Sequence, residues 1–319
     1  MGDVTVIGLG AMSPERQEVW RRQLPPCKFV VMERPAPSGE RLRQRALGIG
    51  LDSLALALRA SPRLRGPVLA LNPWPAFAAR SLGAANLACT GLYAEPGSNS
   101  WRLLRRRLND IPVIAMSQIE SRAWNRDGGR SVSVLWGGTF GVPLSKPPEG
   151  RPRIFIGGTS DRDNVAISRL SQAVQSSVKA IDVVIADGTG PRRWARGESS
   201  ITWLPYVSQR EFLDELVASN VTYLPLQDKD RAAGHMVLVS SLEAGMPIVV
   251  PRVAGIREYL VDGVTLAKEE ALDRLDQLLD LANAGHAQRL QRHHVWERLF
   301  SQDAHVAAVV NGLETLNWP

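Results

Sequence analysis

Short apolar runs and longer amphipathic stretches alternate along the whole chain. In the first half, Val4–Leu9, Phe29–Met32, Val68–Leu71, Leu87–Thr90, Ile111–Ala115 and Val132–Leu135 predict buried strands. Between them, Pro14–Gln23 and Arg41–Arg59 carry helical spacing. The second half repeats the alternation. Its predicted strands are Arg153–Ile156, Val183–Ala186, Ile201–Leu204, Val221–Leu224 and Ile248–Val250, and its helices include Ala166–Val178, Ser208–Ala218 and Val237–Ala244. The stretch 144–152, LSKPPEGRP, suits neither element. The pattern therefore predicts two α/β domains, 1–143 and 153–295, joined by a linker at 144–152. A last helical pattern, Trp296–Leu316, is expected to carry 296–319 back to the first domain. Strand–helix alternation in both halves implies parallel sheets that bind ligands beyond the C-terminal strand ends, which places the expected site in a cleft between two facing domains.

Composition narrows the class. A chain of 319 residues, 44% hydrophobic, suits two ordinary domains. Cys27 and Cys89 are too far apart in sequence to suggest a disulfide framework or a zinc site. The start, MGDVTVIGLGAMSPE, has no basic leader and no long apolar region, so a cytoplasmic protein is expected, with contact to the inner face of the membrane as an option. Charge is unevenly spread. Residues 1–150 carry 20 Lys and Arg against 11 Asp and Glu, a net +9, and the rest carries 18 against 21, a net −3. The basic half predicts an anionic partner: a lipid headgroup, a lipid pyrophosphate or an acidic glycan. Residues 101–108, WRLLRRRL, read either as an interfacial helix with Trp and Leu against lipid, or as a solvated helix whose leucines face the core. Basic residues are not interleaved with aromatics in any nucleic-acid module, so nucleic acid is not an expected partner.

The chemistry concentrates between Gly234 and Thr265. Gly234 opens a short helix, Gly245 and Pro247 end it, Ile248–Val250 forms a strand, and Ala254-Gly255 turns the chain. The helix start offers free backbone N–H groups to phosphate, and Glu243 near its end offers a carboxylate to a ribose diol. Together they suggest a pocket for a nucleoside diphosphate.

This segment resembles the donor-binding motif of GT-B glycosyltransferases of the family-4 type, a Glu-x7-Glu pattern followed by a small-Gly-x-Pro turn, a buried strand and a glycine turn with a further Glu. Glu243 matches the second Glu and Glu258 the Glu of the later turn. His235 stands in place of the first, in an Ala233-Gly234-His235 variant. The resemblance implies that position 235 meets the donor sugar and Glu243 the ribose. It extends over residues 110–265, through Ile114-Ala115-Met116-Ser117, Trp136-Gly137-Gly138, Ile156-Gly157-Gly158, Ala186–Pro191, Leu204–Ser208 and Leu224-Pro225-Leu226. Tyr206 and Val207 fall in the segment whose backbone meets the base in that family. The implied activity is sugar transfer from a nucleotide-diphosphate sugar to a glycan, lipid-linked or other anionic acceptor held by the N-terminal domain.

The glycine turn Gly157-Gly158-Thr159 can approach a pyrophosphate closely, and Arg162 is the expected cation for the departing diphosphate. Asp161-Arg162-Asp163 and Asp228-Lys229-Asp230 spell Asp-x-Asp, but each encloses a base that competes with a metal. No metal and no cofactor is expected. Five histidines, His235, His286, His293, His294 and His305, lie in the second half, and His235 alone falls in a motif. It and Glu95, in Tyr93–Gly97, are the catalytic candidates. Two alternatives stand. Gly8-x-Gly10 after the first strand, with Glu33 after the second, resembles the NAD(P) fingerprint of an oxidoreductase, although Ser13 holds the third glycine's place. The altered His235 position is also compatible with a degenerate, non-catalytic sugar-nucleotide-binding protein.

Overall fold

The computed structural model describes residues 3–10, 12–24, 26–33, 42–146, 149–268 and 275–318. The chain forms two compact units. The first comprises Met1–Trp136, Asp230–Ala232 and Gln302–Pro319, and the second Gly137–Lys229 and Ala233–Ser301. The division falls at Trp136/Gly137, ahead of the proline-rich stretch expected to mark it, and residues 147 and 148 of that stretch lie outside the described residues.

The first unit holds β1 (Val4–Leu9), α1 (Pro14–Gln23), β2 (Cys27–Met32), α2 (Leu42–Ala60), β3 (Val68–Ala70), α3 (Pro73–Ser81), β4 (Leu87–Thr90), α4 (Asn99–Leu108), β5 (Pro112–Ala115), α5 (Gln118–Arg126) and β6 (Arg130–Ser133). Its sheet is parallel throughout, in the order β2-β1-β3-β4-β5-β6. One face packs Ile7, Val68 and Val113 against Leu56, Ala79, Leu104 and Trp124 of α2 to α5. The other packs Val6, Leu69 and Ile114 against Trp20 of α1 and Val306, Val309 and Leu313 near the C-terminus. The alternation of these residues along each strand is the period-two signature of a sheet covered on both faces. Arg41, expected to open the second helix, lies outside the described residues.

The second unit holds β7 (Arg153–Gly157), α6 (Asn164–Ser176), β8 (Asp182–Ala186), β9 (Arg192–Arg196), β10 (Ser199–Trp203), α7 (Gln209–Val217), β11 (Val221–Tyr223), α8 (His235–Glu243), β12 (Ile248–Pro251), β13 (Thr265–Lys268), α9 (Leu275–Ala282) and α10 (His286–Leu299). The sheet order is β13-β12-β11-β7-β8-β10-β9, parallel except for β9. Neither β9 nor β13 is legible in the sequence. β9 reads RRWAR and pairs only at the sheet edge, so no apolar run marks it, and β13 is a short edge strand.

The C-terminal helical pattern is not one helix. Phe300 leaves helical geometry (φ −130°, ψ 4°) and its side chain is fully buried, so α10 stops and α11 (Gln302–Thr315) starts afresh. The return to the first unit therefore begins at Gln302 rather than Trp296. His305 fixes α11 there through its Nδ1 and the Leu135 carbonyl, 3.0 Å apart.

Candidate functional site

In the second unit the strand order reverses direction between β7 and β11, so the crevice of a doubly wound sheet opens at their C-terminal ends. β7 runs into Gly157-Gly158-Thr159. Arg162 folds back beneath this turn: its Nε donates to the Gly157 carbonyl (2.8 Å) and Nη1 to the Ser160 carbonyl (2.7 Å). Gly158 sits at φ +91°, and a side chain there would collide with the Arg162 guanidinium, so two independent constraints require glycine. Burial lowers the Arg162 pKa to about 10, which leaves the group charged at neutral pH. The expected phosphate cation is thus buried and bonded to main-chain carbonyls, bracing the turn it was expected to assist.

Two helices begin at this end of the sheet near the turn, and they differ as anion sites. The first turn of α6 is closed by Asp163, whose Oδ1 accepts from Val165 N–H (2.9 Å) and Ala166 N–H (3.1 Å), so a second anion there meets a carboxylate. α8 begins at Gly234 (φ +74°), which brings no capping side chain. A Cβ at Gly234 would press on Leu224 and Leu226, and the same strand-end segment holds the β7 loop through Gln227 N–H to Asp161 C=O (2.9 Å). The α8 N-terminus is therefore the helix end at this crevice suited to phosphate. His235, the first residue of α8, is buried and stacks on Tyr259 (5.9 Å, 27°), which in turn stacks on Phe300 (6.0 Å, 12°). Thr159, Gly188 and Tyr206 meet on the β8–β10 side, with Thr159 Cγ2 and Tyr206 Cδ2 at 3.6 and 3.7 Å from the Gly188 Cβ position. Tyr206 is exposed and Val207, next in the chain, is half-buried. Glu258 lies on a short 3-10 turn, Arg257–Tyr259.

Glu243 is where the structure corrects the sequence reading. Its carboxylate is 2% exposed and accepts from three successive backbone N–H groups: Phe140 (2.8 Å to Oε2), Gly141 (2.9 Å to Oε1) and Val142 (3.3 Å to Oε1). Such a run of N–H groups is an anion-binding nest, here filled by the protein's own side chain. Burial raises the Glu243 pKa, while the three N–H groups and the nearby His293 act in the opposite sense. A carboxylate engaged in this way cannot take the ribose. It seats residues 137–145 on the second unit, alongside Trp296 Nε1 donating to the Gly138 carbonyl (3.0 Å) and Ser145 Oγ donating to the Ala244 carbonyl (2.9 Å). A groove of about 700 Å³ runs between this segment and α7, past Phe140, Val142, Pro143, Arg210 and Leu213, and none of the expected site residues lines it.

In the first unit Glu95 lies half-buried in the loop after β4. Nearby, Tyr93 holds a left-handed backbone (φ +51°), with its ring over Gly91. Sequence reading overlooked Glu120. This carboxylate is 1% exposed at the start of α5, takes a hydrogen bond from Ser117 Oγ (3.1 Å), and its pKa is raised to about 7 by burial, against the backbone N–H groups of Ala232 and Met116 and the charge of Arg231. The signal for it was present as Ser117-x-x-Glu120, a helix-capping pattern.

Three further expectations meet the coordinates here. The strand order of the first sheet is not the 3-2-1-4-5-6 of dinucleotide-binding folds, and the helix after Gly8-x-Gly10 is capped by Ser13 Oγ, accepting from Arg16 N–H, so the nicotinamide reading lacks its phosphate seat. On α4, Trp101, Leu104 and Leu108 are buried and Trp101 Nε1 donates to Asp127 (3.1 Å), so of the Trp and Leu that the interfacial reading turns to lipid only Leu103 is exposed. Asp163 and Asp228 accept from backbone N–H groups, and among the described residues no group of three or more His, Cys, Asp or Glu is placed to hold a metal. Among the same residues no helix is long and apolar enough to cross a membrane.

No protein-family model matches the chain, and no curated protein matches it. Solved structures do. Sucrose-phosphate synthase from Thermosynechococcus elongatus superposes with a TM-score of 0.68 at 11% identity, covering 99% of each chain. An α,α-trehalose 6-phosphate synthase from Burkholderia multivorans gives 0.64 at 11% identity over 99% of this chain and 97% of that one. Anabaena HepE in complex with UDP gives 0.57 at 11% identity over 98% and 100%. The fold is GT-B. The glycine turn, the α8 N-terminus and the Tyr206 edge of the second unit all lie at the C-terminal ends of its strands.

Proposed function

We propose that this chain is a glycosyltransferase that binds a nucleoside-diphosphate sugar at the strand ends of its second unit and an acceptor at those of its first. The observation that carries the reading is the contrast between two neighbouring helix starts: α6 is closed by a carboxylate, while α8 opens at a glycine beside the Gly157-Gly158-Thr159 turn. Diphosphate lies against the α8 N-terminus and the turn, the base lies against Tyr206 and the Val207 backbone beside Thr159 and Gly188, and the sugar reaches toward His235. HepE is a GT-B neighbour solved with UDP and with UDP-glucose, which supports this class of donor. The helix dipole and main-chain N–H groups stabilise the leaving diphosphate without a metal. On the acceptor side the candidate base is Glu95, half-buried in the loop after β4.

Calorimetric titration with uridine, guanosine and adenosine diphosphates, each with and without a chelator, tests this directly. Binding of one diphosphate that is indifferent to the chelator is expected, weakened in a Gly234→Asp variant both by the added negative charge and by the strain of a side chain at φ +74° against Leu224 and Leu226. Heat from NAD(P) with none from any diphosphate would reject the reading. A second reading, binding without turnover, is favoured by the engagement of both Arg162 and Glu243 with the main chain. Donor hydrolysis or transfer in a screen of nucleotide sugars separates the two.

A further inference from the structure

Helix α2 is apolar on two faces. Ser53, Leu56, Ala57 and Ala60 are buried against the first unit's sheet and its neighbouring helices. On the opposite side, Leu51, Leu54 and Leu58 are 69%, 42% and 53% exposed, with Ala55 and Arg59 exposed among them. Their spacing, i, i+3, i+4, i+7 and i+8, is one continuous helical face. A core helix of a soluble domain normally carries charge there, so a leucine stripe facing solvent is unexplained by folding. Arginines lie at one end of it and on the next helix but one. Arg59, Arg63 and Arg65 are exposed at its C-terminal end, and α4, in the same helical layer across α3, exposes Leu103 together with Arg102, Arg106 and Arg107.

We infer that the outer face of α2 docks the first unit on an anionic lipid surface, with Leu51, Leu54 and Leu58 in the acyl boundary and the arginines of α2 and α4 among the headgroups. Interfacial helices combine these two features, apolar burial supplying depth and basic residues the attraction to anionic lipid. A second copy of this chain fits less well. Three leucines at these exposures present roughly 300 Å² of apolar surface, against about 800 Å² per partner in a stable protein interface, and the nearby arginines of two copies would repel. A bilayer requires no matching shape and carries the opposite charge. The inference is independent of the proposed sugar transfer, and it shifts the apolar part of the membrane contact from α4, where Leu103 alone is exposed, to the leucines of α2.

Sedimentation of the full chain with phosphatidylcholine vesicles, with and without phosphatidylglycerol, tests it. Binding is expected only with phosphatidylglycerol, weakening as salt rises. A Leu51→Ser/Leu54→Ser/Leu58→Ser variant is expected to lose at least about tenfold in vesicle affinity while keeping its circular dichroism and its monomeric size. An Arg59→Gln/Arg63→Gln variant, whose changes lie on exposed positions, is expected to lose affinity and salt dependence together. No sedimentation of the unaltered chain at low salt would overturn the inference. So would leucine variants that bind as well as the parent, or a parent that self-associates through these leucines and ignores vesicles.

Discussion

The Gly141 backbone N–H donates to the Glu243 carboxylate across 2.9 Å, between a glycine of the segment that opens the second unit and the last residue of α8. With Phe140 and Val142 it encloses a charge that stands at the unfavourable, negative end of a helix dipole. The contact explains why an acidic residue is kept in a helix that is otherwise buried along its length. It also sets the first expectation. Glu243→Ala strands three donors, of which Val142 N–H is buried, and should cost about 1–3 kcal/mol of stability in urea titrations. Nucleotide affinity of the folded fraction should change by less than about threefold. Full stability with weakened nucleotide binding would return Glu243 to the ribose.

The Arg162–Gly158 contact makes a second expectation. Lysine keeps the charge but cannot fork between the Gly157 and Ser160 carbonyls, so Arg162→Lys should loosen the turn and weaken diphosphate binding about tenfold. Gly158→Ala should lower stability by about 1–3 kcal/mol, because φ +91° is strained for alanine and the new methyl displaces the guanidinium. Native affinity in Arg162→Lys with a slower turnover would instead place the guanidinium at the leaving group.

Glu120 makes the first unit sensitive to pH. Its pKa is about 7 in the fold and near 4.5 unfolded, so the native state binds its proton more tightly. The contribution to stability is full below pH 4.5 and is lost as pH rises through about 7. Its size is of order 3 kcal/mol. Glu120→Gln mimics the protonated form and should gain on the parent by this amount between pH 4.5 and 8, read by urea midpoints. Parallel stability profiles for the two proteins would contradict the buried-carboxyl assignment.

His305 works in the opposite direction. Burial lowers its pKa to about 4, despite the Leu135 carbonyl, from 6.5 when exposed. Here the unfolded chain binds the proton more tightly. The contribution is full above pH 6.5 and is lost as pH falls toward 4, again by about 3 kcal/mol. Over pH 4.5–6.5 the two groups offset each other, so the parent should show a flat profile that each single variant tilts. His305→Gln should remove the acid-side loss. An unchanged acid limb in that variant would show that α11 is not held by a neutral histidine.

Much of the architecture was readable from local pattern. β1 and α1 fall on the residues predicted for them, and the central strands β4, β8 and β12 lie within a residue or two of their apolar runs, because a strand covered on both faces must be apolar throughout. The edge strands of the second sheet were not readable, since Arg192–Arg196 is largely exposed and both it and Thr265–Lys268 keep polar residues. At the candidate site, residue type and spacing placed Gly158, Thr159, Tyr206, Gly234 and His235 at strand ends of one sheet. They could not tell what Arg162 and Glu243 would face.

Backbone conformation and burial are dictated largely by short-range pattern, so the sequence by itself determined two doubly wound sheets and the glycine turns that open their crevices. The partners of a charged side chain are set by which distant main-chain groups lack a hydrogen bond once the chain has packed. Tertiary structure alone therefore decided that Glu243 answers the N–H groups of residues 140–142, that Arg162 answers the carbonyls of its own loop, and that one face of α2 is left in solvent with its leucines uncovered.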